Sequence, residues 1–504
     1  MADPSSPPAG PDFSLGVPLA SVPAKGVLAG HVDGKPVLLA RLRDGFHAVG
    51  ASCTHYGGPL AEGRVDGERV SCPWHHACFS LRTGEVLGAP AFAPLAVWTV
   101  EVAGDTVFVR GEQAKPATVP PRRARDPGRI VIVGGGAAGY AAAERLRGLG
   151  FEGSLVMLSA DEAGPYDRPN LSKDYLAGSA PEDWIPLQGP DFYAERGIDL
   201  RLACEVAAID TAARELRTAG GERFAYDALL LATGAEPRRL NLPGFDRREV
   251  FVLRSLADAR ALIAATEGAR SIALVGAGFI GLEAAAALRA RGLDVHVIAP
   301  DTAPMAKVLG RELGALLVDL HRANGVHFHL GAKPVAYDGK TVTLGDGTSV
   351  PAERVLLGIG VTPRTVVAEA AGFAVDNGIL VDANLQTSVP GHYAAGDVAR
   401  YPHGDERVRV EHWVHAQRMG QAAAANLLGA AEPFIDVPFF WTHQYDLELR
   451  WTGIGTGWDD VRIDGDIAAR DATVRYFRRG ELVAAATLGR DLECLAIEAE
   501  LARS

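Results

Sequence analysis

Cysteine is scarce in this sequence, with five residues among 504, and aromatic side chains contribute only 7%. A sparse, odd set of cysteines excludes the disulfide framework of a small secreted domain, and a chain of this length buries enough surface to fold without one. We therefore expect the cysteines to bind a metal or to pack in the core, in the reducing environment of the cytoplasm. The length predicts about three or four domains.

Basic residues are also in deficit, with 50 Lys and Arg against 62 Asp and Glu, which gives a net charge of -12. Nucleic acids and anionic membranes bind proteins whose Lys and Arg neutralise phosphates, so this balance argues against both partners. Uninterrupted apolar runs are missing as well. The most apolar stretch, residues 271–290, contains Glu283, Arg289 and three glycines, which indicates a buried strand, turn and helix rather than a membrane span.

Composition divides the first quarter of the chain into three segments. Residues 1–12 are rich in proline and lack the basic and apolar order of a signal peptide, which predicts a disordered tail. Residues 13–110 consist of short β-type runs between Gly and Asp turn signals, which predicts a small all-β domain. Residues 111–129 combine prolines with clustered arginines and are typical of a linker.

The remaining sequence alternates apolar strands with Ala-rich helical stretches, the pattern of a parallel sheet in α/β domains. A strand, Gly-rich turn and helix occur twice, in RIVIVGGGAAGY and SIALVGAGFIGL. Two Rossmann-type nucleotide domains are therefore expected. We assign the first to residues 130–246 and 375–433, the second to residues 247–374, and a C-terminal α+β domain to residues 434–504.

The densest group of potential metal ligands lies in CTHYGGPL and CPWHHACF of the all-β domain. Sixteen residues separate Cys53 and His55 from Cys72 and His75, so each short loop offers one thiolate and one imidazole. All four could bind one tetrahedral zinc ion, or each pair could bind one iron of a Rieske 2Fe-2S cluster. The interleaved order of Cys and His is typical of Rieske centres and not of zinc fingers.

On these motifs, together with Gly-Pro-Leu after the first His and TGEVLGAPAFAPL, residues 13–110 resemble a Rieske ferredoxin. The resemblance implies that Cys53 and Cys72 bind one iron and that His55 and His75 bind the other. His76 stands where this family usually has Gly. It is expected either to adopt an unusual backbone angle or to alter the exposure of the cluster.

The first Gly-rich turn has the spacing of a dinucleotide fingerprint, with Gly134, Gly136 and Gly139 between an apolar strand and a helix. Its glycines allow backbone N–H groups to approach a pyrophosphate at the helix N-terminus. An acidic residue about twenty positions later should bind the ribose, and Asp161 and Glu162 both lie near that distance.

Three further motifs, PYDRPNLSKDYL, LLLATGAEPR and AAGDVAR, extend the likeness from residue 129 to the C-terminus. This region resembles the FAD-dependent ferredoxin reductases of oxygenase systems and the apoptosis-inducing-factor-like flavoproteins. With the Rieske module in the same chain, it is most similar to the Rieske-containing branch of the latter family. The resemblance implies bound FAD, contacted by Ala138, Arg168, Pro169, Lys173, Ala232, Thr233, Gly234, Asp397 and Trp413.

The second fingerprint, Gly276, Gly278 and Gly281, implies by the same resemblance a nicotinamide dinucleotide site that the segment around Gly360 closes. Family members pair a glutamate with the lysine of LSK near the hydride-transfer face. Glu283 and Lys173 are therefore the expected catalytic pair.

The choice between NADH and NADPH depends on the end of the next strand. Family members that use NADH usually carry Glu there, and this chain has Ala299, while Asp301 nearby would repel a 2′-phosphate. These residues favour NADH, with NADPH possible.

The sequence thus predicts an NADH-dependent oxidoreductase that passes electrons through FAD and a Rieske cluster to an external acceptor protein of the oxygenase or cytochrome P450 type. A homodimer is possible. One alternative is an NADH oxidase or diaphorase. Another is a redox-switched binding protein of the apoptosis-inducing-factor type.

Overall fold

The computed structural model describes residues 10–114 and 124–503, and the chain divides into two compact units. One unit joins residues 1–121 to residues 490–504, and the other comprises residues 122–489. Most of the predicted tail, residues 1–9, and the middle of the predicted linker, residues 115–123, lie outside the described residues. Asp12 pairs with His31, so paired backbone begins before the domain start predicted at residue 13.

The N-terminal unit is built on short β-strands. In chain order they are β1 (Val17–Pro18), β2 (Val27–Val32), β3 (Lys35–Leu42), β4 (Gly45–Gly50), β5 (Arg64–Asp66), β6 (Arg69–Ser71), β7 (Cys78–Ser80), β8 (Val86–Gly88), β9 (Val97–Ala103) and β10 (Thr106–Glu112).

These strands form two sheets, a six-stranded antiparallel one in the order β1-β10-β9-β4-β3-β2 and a four-stranded one in the order β5-β6-β7-β8. Residues 37–40 of strand β3 are apolar without interruption because both faces of the strand are buried there. Val37 and Leu39 point into one hydrophobic core, and Leu38 and Ala40 point into the other. The second core also holds Cys53 and Cys72, so the predicted ligand loops rest on it.

The larger unit begins with a nucleotide-type half. It contains β11 (Arg129–Val133), α1 (Ala137–Gly148), β12 (Ser154–Leu158), α2 (Asp174–Ala177), α3 (Asp191–Glu195), β13 (Ile198–Arg201), β14 (Val206–Asp210), β15 (Glu215–Thr218), β16 (Arg223–Ala225), β17 (Ala228–Leu231) and β18 (Ala235–Pro237).

A second half repeats the pattern. It contains β19 (Val250–Val252), α4 (Leu256–Thr266), β20 (Ser271–Val275), α5 (Phe279–Ala290), β21 (Asp294–Ala299), α6 (Ala306–Ala323), β22 (Val326–Leu330), β23 (Pro334–Tyr337), β24 (Thr341–Leu344), β25 (Ser349–Pro351), β26 (Arg354–Leu357), β27 (Val361–Pro363) and α7 (Val366–Ala370).

The unit closes with β28 (Ile379–Leu380), β29 (His392–Ala394), β30 (Ala399–His403), β31 (Glu406–Val408), α8 (Trp413–Leu427), β32 (Phe439–Gln444), β33 (Leu447–Gly453), β34 (Asp460–Asp466), β35 (Asp471–Arg478) and β36 (Glu481–Leu488).

Two parallel five-stranded sheets, in the orders β13-β12-β11-β17-β29 and β19-β26-β20-β21-β22, form the centres of the two halves. Strand β29 returns to the first sheet after the whole second half, as the predicted interruption of that domain requires. An antiparallel sheet, β32-β33-β36-β35-β34, follows. The predicted fold class is confirmed: an all-β module, two Rossmann-type domains and a C-terminal sheet.

Residues 271–290 fold as strand β20, a glycine turn and helix α5, as predicted for this apolar stretch. Across residues 10–114 and 124–503, no helix combines the length and the apolar character that crossing a membrane requires.

The last helix, α9 (Asp491–Leu501), belongs to the N-terminal unit, although we predicted residues 434–504 as one domain. It lies beside β5, and three of its side chains, Cys494, Leu495 and Ile497, are buried. The C-terminal sheet and the C-terminal helix are thus in different compact units, because the apolar face of the helix is buried in the N-terminal unit.

Candidate functional site

The two predicted ligand loops are the same turn, formed twice. The Cys53 N–H donates to the carbonyl of Gly58, five residues on, at 2.8 Å, and the Cys72 N–H donates to that of Ala77 at the same spacing and distance. Each cysteine is thereby fixed at the start of a closed loop between two strands. The two loops present their ligands in matching positions.

The match extends to one backbone conformation in each loop. Gly57 donates its N–H to the Cys53 carbonyl at 2.8 Å, and His76 donates to the Cys72 carbonyl at 3.1 Å. Both have left-handed φ angles, 76° for Gly57 and 61° for His76. His76 therefore takes the unusual backbone angle, the first of the two expectations stated for it.

The four predicted ligands lie in two like pairs. Cys53 and Cys72 are buried with their thiols in hydrogen-bonding contact, and His55 and His75 face each other with 3.2 Å between their Nδ1 atoms. The hydrogen bond with Cys72 and, after it, burial raise the pKa of the Cys53 thiol. A bound cation is therefore needed to stabilise the thiolate form. Burial lowers the pKa of His55 to about 4 and keeps its imidazole neutral, as a ligand must be.

The pairing decides between one metal ion and two. In the part of the chain that the structure describes, no three His, Cys, Asp or Glu side chains converge on a point that one ion would occupy. Two thiols together and two imidazoles together suit a dinuclear cluster with a different ligand type on each iron. Gly58 leaves room for it, because a Cβ there would lie 2.7 Å from the Cys72 Sγ. These residues fit a Rieske cluster better than a zinc ion.

The first fingerprint brings β11, the turn and α1 into close contact. Gly134 has a φ of 117°, and a Cβ on it would lie 2.1 Å from the carbonyl oxygen of Ala232. A Cβ on Gly139 would lie 1.9 Å from the carbonyl oxygen of Gly134. Both positions require glycine, and their packing brings the N-terminus of α1 to the edge of a cavity.

That cavity has a volume of about 890 Å³, which is large enough for a dinucleotide. The residues predicted for FAD that line it are Gly134, Gly136, Ala138, Asp161, Arg168, Ala232, Thr233, Gly234 and Asp397.

Arg168 gives this cavity a site for an anion. Its guanidinium is near Gly136 at the α1 N-terminus, 3.6 Å from where a Cβ would stand, and the Nε of this half-buried residue is itself buried. Burial, followed by the charge of Arg254, lowers its pKa. The Arg168 Nε has no hydrogen-bond partner among the residues described, so a buried donor points to a ligand that is not protein. A phosphate of FAD fits this donor and the helix terminus.

The expected catalytic pair comes together in a second cavity, of about 380 Å³. The Lys173 Nζ lies 2.8 Å from the Glu283 Oε2, and the two side chains are 13% and 6% exposed. Ser172 donates to Glu283 Oε2 at 2.5 Å, and Thr442 on β32 donates to Glu283 Oε1 at 2.7 Å. Both carboxylate oxygens are satisfied, which holds Glu283 in place.

The second cavity joins the two nucleotide halves. Predicted flavin residues on its wall are Arg168, Pro169, Lys173, Asp397 and Trp413, and predicted nicotinamide residues are Gly278, Glu283 and Gly360. Gly276 and Gly281 lie behind the wall, where they pack β20, the turn and α5 together. The side chains from the two fingerprints thus meet in one space.

Sequence reasoning missed four residues at this site, three that line the cavity and Thr442, which binds Glu283. Arg254 forms an ion pair of 2.6 Å with Asp397, and Ser172 and Thr442 bind Glu283. His412 lines the cavity, and burial lowers its pKa to about 4. Only Ser172, inside the LSK motif, carried a signal in the sequence.

The residues expected to select the nicotinamide lie at the end of β21. Ala299 is buried, and Asp301 is exposed with its Oδ1 3.3 Å from the Lys307 Nζ. Lys307 offsets part of the negative charge that was expected to repel a 2′-phosphate.

Comparison with known families matches three consecutive regions of the chain. A Rieske [2Fe-2S] domain matches residues 17–99, pyridine nucleotide-disulphide oxidoreductase matches residues 128–420, and a reductase C-terminal family matches residues 439–503. The second match covers more than half of the sequence.

Similar proteins include human apoptosis-inducing factor 3, 33% identical over 478 residues, which span 90% of this chain and 78% of that protein. The 5,5'-dehydrodivanillate O-demethylase ferredoxin reductase subunit of Sphingobium sp. is 41% identical over 70% of this chain and 88% of its own length. Among solved structures, the covalent putidaredoxin reductase-putidaredoxin complex contains a chain 32% identical, with a TM-score of 0.71, over 75% of this chain and 93% of that one.

Proposed function

We propose that electrons from NADH leave this protein through its Rieske cluster and pass to a separate acceptor protein. The chain belongs to the pyridine nucleotide-disulphide oxidoreductase family and carries a Rieske [2Fe-2S] domain. The chain is an oxidoreductase, and its cofactors are FAD, a pyridine nucleotide and a 2Fe-2S cluster. The observation that carries the proposal is the Lys173–Glu283 pair in a cavity shared by both fingerprint halves.

Bound FAD supplies the step between a two-electron donor and a one-electron cluster. The chain's own residues would position the two rings. Ser172 and Thr442 hold Glu283, and Glu283 fixes the Lys173 side chain at the cavity wall. There the positive charge of Lys173 would stabilise negative charge that develops on the bound flavin. Phe279 and Phe440, with ring centroids 4.6 Å apart, cover the same cavity and exclude water.

The alternative of disulfide reduction needs two cysteines beside the flavin. Among the described residues that line the FAD cavity, Cys204 is the one cysteine, and burial raises the pKa of its thiol. This arrangement supports electron transfer through the cluster over thiol chemistry.

We further propose that the acceptor is an oxygenase or a cytochrome P450, that NADH is preferred, and that the protein works in the cytoplasm. The names of similar proteins support the first point, since they include a reductase component of an anthranilate 1,2-dioxygenase system and a reductase for the CYP199A2 system. The negative charge of Asp301 supports the preference for NADH, although the ion pair with Lys307 offsets part of that charge. A homodimer is a further part of the proposal.

Anaerobic titration of the purified chain with NADH tests the proposal when flavin absorbance and the cluster EPR signal are followed together. We expect stoichiometric reduction of both within turnover times. A long-lived complex of reduced flavin and NAD with an oxidised cluster would contradict electron transfer and favour a redox-switched binding protein.

The variant His75→Ala should abolish the Rieske EPR signal and leave flavin reduction by NADH unchanged. His47→Ala, at a partly exposed histidine in the same module, is the matched control and should keep both signals. Loss of flavin reduction in His75→Ala would contradict the assignment of the two centres to separate modules.

A further inference from the structure

The C-terminal helix carries a contact to the second ligand loop. Helix α9 follows the reductase C-terminal sheet in the sequence and lies within the 439–503 family match, yet it packs in the same compact unit as the Rieske module. Its Glu498 carboxylate binds the Nδ1 of His76 across 422 positions of sequence. A helix from the far end of the chain thus contacts the residue that follows ligand His75.

His76 needs such a contact because of its backbone. Its counterpart in the first loop is Gly57, for which a φ of 76° carries no steric penalty. A side chain in the left-handed region crowds its own backbone, and such residues persist where their surroundings hold them. The loop around Cys72 therefore stores strain at His76 that the loop around Cys53 lacks.

The surroundings of the two partners make the contact strong. The His76 side chain is 1% exposed and that of Glu498 is 14% exposed, so water competes little for either group. Moving either partner away would leave a buried polar group to be satisfied elsewhere, at a cost larger than the gain from an exposed hydrogen bond. The apolar residues Cys494, Leu495 and Ile497 fix the helix while Glu498 reaches the loop.

We propose that Glu498 is a positioning residue for the Rieske centre, which holds His76 in its left-handed conformation and thereby keeps the adjacent ligand His75 in place. Glu498 acts through His76. The inference rests on the cluster assigned under the proposed function, but not on NADH as the donor or on the acceptor.

The test uses the full-length protein with its cluster loaded and reduced by dithionite, so that a failure of NADH reduction does not affect it. Glu498→Ala should lose its cluster to a ferrous chelator about tenfold faster than wild type, followed by visible circular dichroism and iron content. Glu500→Ala removes the same charge from an exposed position of the same helix and should match wild type. Flavin absorbance should be unchanged in both.

Two further variants separate a positioning role from a general loss of packing. Glu498→Gln keeps an acceptor for His76 and should restore wild-type cluster retention and EPR g-values. In the His76→Gly background the loop no longer needs support, and adding Glu498→Ala should change the loss rate by less than about twofold.

Three results would overturn the proposal. In the first, Glu498→Ala retains its cluster as well as Glu500→Ala does. In the second, the acceleration is as large with Gly at position 76 as with His. In the third, flavin is lost together with the cluster, which would indicate general unfolding.

Discussion

A side chain at Gly134 would place its Cβ 2.1 Å from the carbonyl oxygen of Ala232, and one at Gly276 would place it 2.2 Å from that of Gly358. The two turns follow buried strands of parallel sheets, and both open twelve-residue helices. Their backbones are equivalent. The side chains around them differ.

The difference is clearest at one helical position, two residues after the third glycine of each motif, which is Ala141 in α1 and Glu283 in α5. Ala141 is fully buried on a helix that packs against α8, where Gly420 comes so close that a Cβ would lie 2.1 Å from a carbonyl of α1. Glu283 faces a cavity and binds Lys173. The two turns are thus alike in backbone, while the helix residue behind them packs in one case and forms an ion pair at a cavity in the other.

The largest effect should come from placing a side chain at the first glycine of either turn. Gly134→Ala should prevent FAD binding and destabilise the reductase unit by about 3 kcal/mol, because the new Cβ overlaps a carbonyl and the φ is positive. Gly276→Ala should keep FAD but lose reduction by NADH. Flavin content and thermal unfolding measure both. Gly148→Ala, where the nearest atom to the Cβ is 4.0 Å away, is the control, and flavin retained in Gly134→Ala would show the turns are not equivalent.

The second largest effect should come from removing the charge of Glu283, the residue of α5 that corresponds to Ala141 in α1. Glu283→Gln should slow flavin reduction by NADH about 100-fold, since Lys173 loses its ionic partner in a buried site. Stopped-flow absorbance measures the rate, and flavin content should not change. Glu312→Gln, at an exposed position of α6, serves as the control. A wild-type rate of flavin reduction in Glu283→Gln would show that the ion pair of Glu283 with Lys173 has no role in the reaction.

Acid should act through the buried histidine of the shared cavity. The folded pKa of His412 is about 4, below its unfolded value of about 6.5, so between these values the unfolded chain binds the extra proton. Stability is therefore complete above pH 6.5 and falls as the pH is lowered towards 4, by at most about 3 kcal/mol. His412→Asn should flatten this part of the pH profile of thermal unfolding, unlike His443→Asn at an exposed position. An unchanged slope in His412→Asn would contradict a neutral buried imidazole.

The smallest effect should be on nucleotide choice. Ala299→Glu should raise the ratio of kcat/KM for NADH over NADPH about tenfold, because a carboxylate at the end of β21 can bind the ribose hydroxyls and repels a 2′-phosphate. Lys307→Ala should shift the ratio in the same direction by exposing the charge of Asp301. Improved use of NADPH in Ala299→Glu would contradict the assignment of this strand end.

Local patterns predicted much of this molecule. Both turns, the strands before them and the two ligand loops were read from residues close together in sequence, where spacing and glycine chemistry determine the backbone. The roles of the residues predicted to contact cofactors stay predictions, although the structure brings most of them to the two cavities.

Contacts between distant elements could not be predicted in this way. Thr442 reaches Glu283 across 159 positions, and Arg254 reaches Asp397 across 143. The local sequence pattern around each of these residues predicts the strand or turn in which it lies, but not the distant residue that it contacts. Their partners are set by the topology of the sheets, which a periodic pattern does not encode.

Helix α9 also bears on how the protein is made. Its residues leave the ribosome after the N-terminal strands and after residues 122–489 have been synthesised. On the proposal above, the second ligand loop gains its support only after helix α9 has been synthesised. Nascent chains would then hold iron poorly until the reductase unit exists, and an expression fragment cut at the linker would lack a part of its own Rieske domain.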